Sequence, residues 1–251
     1  MKNMVFKQII MLIMFISSMN AQNNNELSLK ILNQNISNTN DMLLVVEIEN
    51  LSDKTLVLPI CTNSLSVYEF QQGYKNIVTS SGSVEQILLE VRIKDENDNF
   101  ITQVPSKGSL DITEDDLFDN IQFETEEYNY NLIEKAYRKL GFNENQKWLL
   151  ELNFLRENLK EIPPKSKIKL NYVFNLTKIP IYEYYHPDIA NPFLGGFDIQ
   201  KKGFSFYLEL NLEREFLKPY FQKMEEKKII KKEDEIFYGK MVSNKILIEV
   251  N

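Results

Sequence analysis

The sequence predicts a mainly β (α+β) fold, a β-sandwich that carries an inserted helical hairpin and a late helix. Three observations predict it. Short segments such as Leu27-Ser28-Leu29-Lys30-Ile31 alternate apolar and polar residues, the period of a strand with one buried face. Clusters rich in Asn, Asp, Ser and Lys separate these segments at short intervals, as turns do in an all-β sandwich. Between about residues 113 and 162 the apolar period changes to that of amphipathic helices.

Residues 1–21, MKNMVFKQIIMLIMFISSMNA, precede the fold. Lys2 and Lys7 form a positive leader, Ile9 to Ile16 is an unbroken apolar run, and small and polar residues lead to Ala21. That is the layout of a secretory signal peptide cut after Ala21. A retained anchor is the alternative. Eight helical residues reach only about 12 Å, against a hydrocarbon core of about 30 Å. No cysteine lies near the cut, so lipid has no acceptor thiol there. The expectation is a mature chain, residues 22–251, that is secreted or periplasmic, spans no membrane and forms one domain.

Loss of Lys2 and Lys7 moves the formal charge from −7 to −9. An acidic chain is a poor match for nucleic acid, which selects a basic face. Cys61 is the single cysteine, so no internal disulfide forms and stability rests on the core. Its neighbours, LVLPICTNS, predict a small buried side chain at a strand end.

Along the mature chain, strands are expected at 27–31, 42–50 and 56–60, the last ending near Pro59 as an edge strand would. Further strands are expected at 65–70 and 85–94. Thr113 and the acids after it suit a helix N-terminus. From Thr125, Tyr128, Leu132, Ile133, Ala136, Tyr137 and Leu140 share one helical face, and Gly141 ends it. Asn143 is the expected cap of a second helix, with the stripe Trp148, Leu152, Leu155, Leu159, closed by Pro163-Pro164. The two helices are expected to pack as an antiparallel pair. Strands resume at 165–176 and 203–213. A helix over 215–228 is begun or kinked at Pro219, and KILIEV (245–250) closes the chain as a strand.

The stretch NISNTNDMLLVVEIENLSDKTLVLP resembles the opening hairpin of bacterial immunoglobulin-like domains: a strand ending in Asn, a Ser/Asp/Lys turn, then a second apolar strand. The resemblance covers about 25 residues and implies an architecture rather than an activity. The cysteine pair and core tryptophan of antibody domains are missing, since Trp148 lies in helical sequence.

Asp95-Glu96-Asn97-Asp98-Asn99 places oxygen ligands at alternate positions, as a calcium loop begins. An EF-hand then needs Gly at its sixth position and Glu at its twelfth; Phe100 and Ser106 stand there. DENDN is also similar to the D-x-N-D-N linker motif of cadherins, which implies calcium held by Asp95, Asn97, Asp98 and Asn99. Phe-Ile-Thr follows instead of the Ala-Pro usual there. A hairpin turn between two strand halves accounts for every residue without a metal and is the reading adopted.

The stretch IPIYEYYHPDIANPFLGGFD (179–198) is the candidate ligand surface. Tyr182, Tyr184, Tyr185, Phe193 and Phe197 supply aromatic area, and Glu183, His186, Asp188 and Asp198 supply polar groups. Prolines and the Gly195-Gly196 pair preclude a long regular element. Such a loop is suited to a sugar or peptide, tyrosines stacking and carboxylates accepting hydrogen bonds. The other reading is an irregular loop whose aromatics fold onto the sandwich.

His186 is the only histidine, which removes His-rich zinc sites and hangs any Ser-His-Asp or Cys-His arrangement on one position. No nucleophile elbow, phosphate-binding glycine loop, H-E-x-x-H or C-x-x-C occurs. The run KMEEKKIIKKEDE (223–235) reads as a solvated helix face. Asn35, Asn50 and Asn175 open N-x-[ST] sequons. The functional expectation is therefore a non-catalytic exported module, without cofactor, that binds or scaffolds a protein or glycan at a cell envelope. The alternative is a secreted hydrolase of polysaccharide or peptide that uses carboxylates near His186; it requires two carboxylates about 5 to 10 Å apart in a groove.

Overall fold

A computed structural model describes residues 26–63, 65–67, 85–101, 104–105, 120–177, 179–180, 194–197, 199–230 and 235–250. The chain begins with β1 (Leu27–Ile31), β2 (Asn35–Ser37), β3 (Met42–Asn50), β4 (Leu56–Pro59) and β5 (Leu65–Val67). A 3-10 turn at Glu85–Ile87 leads into β6 (Leu89–Lys94), and β7 is Val104–Pro105. Helices α1 (Asn120–Lys139) and α2 (Gln146–Glu157) follow, then β8 (Leu159–Ile162), β9 (Lys167–Phe174), β10 (Ile179–Pro180) and β11 (Leu194–Gly196). The chain closes with β12 (Ser205–Leu212), α3 (Arg214–Glu226), β13 (Gly239–Val242) and β14 (Ile246–Glu249). The fold is mainly β, with three α-helices among the described residues.

One sheet has the order β1-β3-β9 and is antiparallel throughout. A larger sheet runs β2-β14-β12-β6-β5, with β13 also paired to β12. Its pairs are antiparallel except β2 with β14 and β5 with β6. Strands β4 and β8 form a separate antiparallel pair, and β10-β11-β7 a small third sheet.

Alternation places the core. Leu44, Val46 and Ile48 of β3 and Leu170, Tyr172 and Phe174 of β9 are buried on one face of the first sheet. Phe206, Leu208, Leu210 and Leu212 of β12 are buried on one face of the second. Phe174 meets Phe206 with ring centroids 5.6 Å apart, so these faces join across a shared core. Leu149, Leu152 and Leu155 of α2 and Leu217, Phe221 and Met224 of α3 belong to the same cluster. Cys61 is buried in it just past β4, as its apolar neighbours predict.

Several expectations are corrected. β3 and β4 exist, but they do not pair as a hairpin: β3 lies between β1 and β9, and β4 pairs with β8. The fully buried Asn50 turns the chain away, its amide donating to the carbonyls of Lys54 (2.8 Å), Ile162 (2.8 Å) and Pro163 (3.1 Å). The second helix is capped by Asn145, not Asn143; its side chain accepts from the Trp148 amide at 2.9 Å. That helix stops at Glu157, so Leu159 belongs to a strand rather than to the helical stripe. Asn158 donates back to the Phe154 carbonyl, while its own carbonyl accepts from Ile60, and the next residues are drawn onto β4. Residues 85–87 form a 3-10 turn rather than the start of β6. α3 begins at Arg214, ahead of Pro219, which lies inside it. It ends at Glu226, so the charged run 223–235 is not one helix face; Ile229 and Ile230 pack on the core.

Candidate functional site

The described surface offers two places where backbone and charge are arranged beyond the needs of a core. The first is the segment after β6. Lys94 bridges to Phe100, the Asp95 amide donates to the Asn99 carbonyl at 2.9 Å, and Asp98 sits in the left-handed region at φ 64. These residues therefore form a tight turn, of the kind Asn and Asp favour. The Asp95 carboxylate is turned inward. Its Oδ1 accepts from the Asn97 and Asn99 amides at 2.9 and 2.8 Å, and its Oδ2 from the Asn99 side chain at 3.1 Å. The Asn99 side chain, then the backbone amides, hold the Asp95 carboxyl below the usual range. Asp98 instead accepts from Lys245 (2.8 Å) and Lys94 (2.7 Å), and those ammonium groups bring its carboxyl down to about 2. The Asp98 carboxylate thus faces two ammonium groups. Among the described residues no group of three or more Asp, Glu, His or Cys side chains is placed to hold a metal.

The second place is a groove of about 530 Å³ lined by Thr62, Leu159, Lys160, Glu161 and residues 168–171. It lies between β8 and β9, which follow each other in sequence yet stand in different sheets. Hydrogen bonds to neighbouring strands fix where the walls point their backbone groups. The Asn50 amide donates to the Ser166 carbonyl, so 50 and 166 are a bonded pair, and by alternation Ile168 and Leu170 bond to β3. Lys169 and Asn171 then direct their N–H and C=O groups away from β3. In the same way the Ile60 amide donates to Asn158, so Lys160 bonds to β4, and Leu159 and Glu161 point outward. The far edge of β4 is occupied: the Phe237 amide donates to the Val57 carbonyl at 2.9 Å. Among the described residues no strand pairs with the outer edge of β8 or β9.

A buried polar ladder lies elsewhere, on the face of β6 and β12 opposite the core. Glu90 and Glu209 are directly opposite each other, a destabilising placement for like charges. The Arg92 guanidinium resolves it, with Nη2 at 2.6 Å from Glu90 and 3.3 Å from Glu209, and Lys240 adds a contact of 2.7 Å to Glu209. The role of this carboxylate pair is to be neutralised. Between α2 and α3, Tyr220 donates to the buried Glu151 while Trp148 stacks on Tyr220 at 4.8 Å.

Of the residues singled out in sequence, Tyr182, Tyr184, Tyr185, His186, Asp188 and Phe193 lie outside the described residues, as do Glu183 and Asp198. So does the leader. Phe197 is described: it is buried in the core, its amide bonded to the Leu176 carbonyl, so for this residue the reading of an aromatic folded inward holds rather than that of a ligand surface. The groove was missed in sequence because Leu159 completes a helical stripe, which hides β8. Pro163-Pro164 was the available signal, since it marks a break after Ile162 that serves strand and helix alike. No helix of the described residues is long and apolar enough to cross a membrane.

Compared with known protein families, curated proteins and solved structures, the chain gave no match.

Proposed function

We propose that this chain is an exported, non-catalytic binding or scaffolding protein of a cell envelope, built on an immunoglobulin-like sandwich as a single domain. The observation that carries the export is the leader: two lysines, eight consecutive apolar residues and a small residue at the cut. The sandwich reading is supported by two sheets whose apolar faces meet at Phe174 and Phe206. Binding is supported by an open groove within the ~300–1,000 Å³ range of ligand clefts. The tyrosine-rich stretch with Tyr182, Tyr184, Tyr185, His186, Asp188 and Phe193 is the second proposed contact surface, suited to a glycan or peptide.

The test is expression of the full chain in a bacterial host, fractionation and N-terminal sequencing. The expected result is a chain beginning at Gln22 outside the cytosol. A cytosolic chain that retains Met1 would refute export. The same preparation bearing Tyr184→Ala, Tyr185→Ala and Phe193→Ala is expected to bind envelope polysaccharide or protein more weakly than the parent; equal binding removes that surface from the proposal.

A further inference from the structure

We infer that the groove between β8 and β9 takes an extended peptide segment of another polypeptide, acidic on one face, which adds as a strand to the open edge of β9. The inference rests on the reading of the chain as a binding module and names the partner class of its groove.

Two edges that pair with no strand among the described residues border one groove, and their outward backbone groups are fixed by hydrogen bonds elsewhere. Lys169 and Asn171 on one wall, and Leu159 and Glu161 on the other, offer donors and acceptors at strand spacing. Exposed edges of this kind template another chain, and natural proteins ordinarily blunt them. Recognition by strand addition draws its affinity from such main-chain bonds and its specificity from alternate side chains. The side chains here are not uniform. Leu159 and Ile168 line the groove and pack on the core, offering an apolar floor. Lys160 and Lys169 stand at the rim and enter none of the described ion pairs. Lys169 stands across from Glu47, but that carboxylate bonds to Lys167. An occupant that carries both apolar and acidic residues therefore finds apolar partners in Leu159 and Ile168 and cationic partners in Lys160 and Lys169. Glu161, on the opposite wall, disfavours a partner that is acidic on both faces.

The test is selection of a displayed random-peptide library on the purified mature chain, residues 22–251. The expected result is enrichment of peptides that alternate apolar and acidic residues. Their affinity should fall about two- to tenfold, the equivalent of one net hydrogen bond, on the Asn171→Pro variant. Proline there removes an outward N–H and leaves the pairing with β3 intact. The same loss is expected for peptides N-methylated at alternate amides and for a Lys160→Glu, Lys169→Glu variant, which decide the matter should Asn171→Pro fail to fold. No enrichment, enriched peptides indifferent to all three changes, or a dimer of the chain itself that Asn171→Pro dissolves would each overturn the inference. Indifferent peptides would leave the binding-module reading standing, whereas a chain retained in the cytosol would overturn export and leave the groove.

Discussion

Single residues at the ends of elements account for much of how this chain is steered. Helix α1 ends with the Phe142 amide bonded to the Tyr137 carbonyl and the Gly141 amide to that of Arg138. Tyr137 and Phe142 meet edge to face at 5.3 Å, which completes a Schellman motif with its apolar contact. Gly141 holds φ +81 there, and an added Cβ would lie 3.0 Å from Lys227 Nζ. α3 ends in the same pattern, Ile229 bonding to Met224 and Lys228 to Glu225, but the left-handed position is Lys228 at φ 58. One motif filled once by glycine and once by lysine makes opposite predictions. Gly141→Ala should destabilise the protein by about 1 kcal/mol, since L-residues pay about that much in the left-handed region. Lys228→Gly should stabilise it by somewhat less than that, glycine losing more freedom on folding. Urea titration of both variants checks the signs; a stabilising Gly141→Ala or a destabilising Lys228→Gly contradicts the account. Asn50 and Asn175 show the same economy. Each accepts from the amide and hydroxyl of the Ser or Thr two residues on, so these two sequons are turns in which the Asn side chain is already committed.

Among the elements, the 95–99 turn carries a pH dependence whose sign can be worked out. Asp98 is held at about 2 by Lys245 and Lys94, below its ordinary 3.8. A carboxyl depressed in the folded state contributes stability that is present above its ordinary value and lost as pH falls through the folded one. The ion pairs are exposed, so the effect is small and is screened further by salt. Asp98→Asn keeps a side chain that tolerates positive φ and removes the charge. The variant's melting temperature should fall less than the parent's between pH 3.8 and about 2; an equal fall would show that Asp98 does not titrate with folding. Calcium and chelator should leave the parent's melting temperature unchanged at neutral pH, because amides and ammonium groups already take the carboxylate oxygens of Asp95 and Asp98. This turn was legible in sequence because turn chemistry is local, and so were β1, β3 and most of β9, β12 and β14, whose alternation is continuous. β8 was not legible: Leu159 is helical by spacing, and it is the pairing with β4, continued by the bond from Ile60 to the Asn158 carbonyl, that makes it a strand. β2 and β13, of three and four residues, are too short to show a period at all. The groove escaped for a related reason, since an open edge is a property of which strands fail to pair.

Across the whole molecule the question is whether the helices and the sheets fold as one unit. The apolar faces of both sheets, of α2 and of α3 belong to one buried cluster, and between the two helices Trp148 stacks on Tyr220 beside the bond from Tyr220 to Glu151. Trp148 is the single tryptophan, so its fluorescence reports the packing of α2 against α3 and against Phe142 at the end of α1. Far-ultraviolet circular dichroism is dominated by backbone structure throughout. A domain whose helical insertion shares the core of its sheets loses both signals in one cooperative step, because the leucines of α2 belong to the same buried cluster as the inner faces of β9 and β12. The urea transitions by the two probes should therefore coincide in midpoint and slope. Were the helical hairpin a separate unit, its smaller buried surface would give it a lower slope and its own midpoint. The fluorescence change would then precede the main loss of ellipticity, and the single-domain architecture would have to be abandoned.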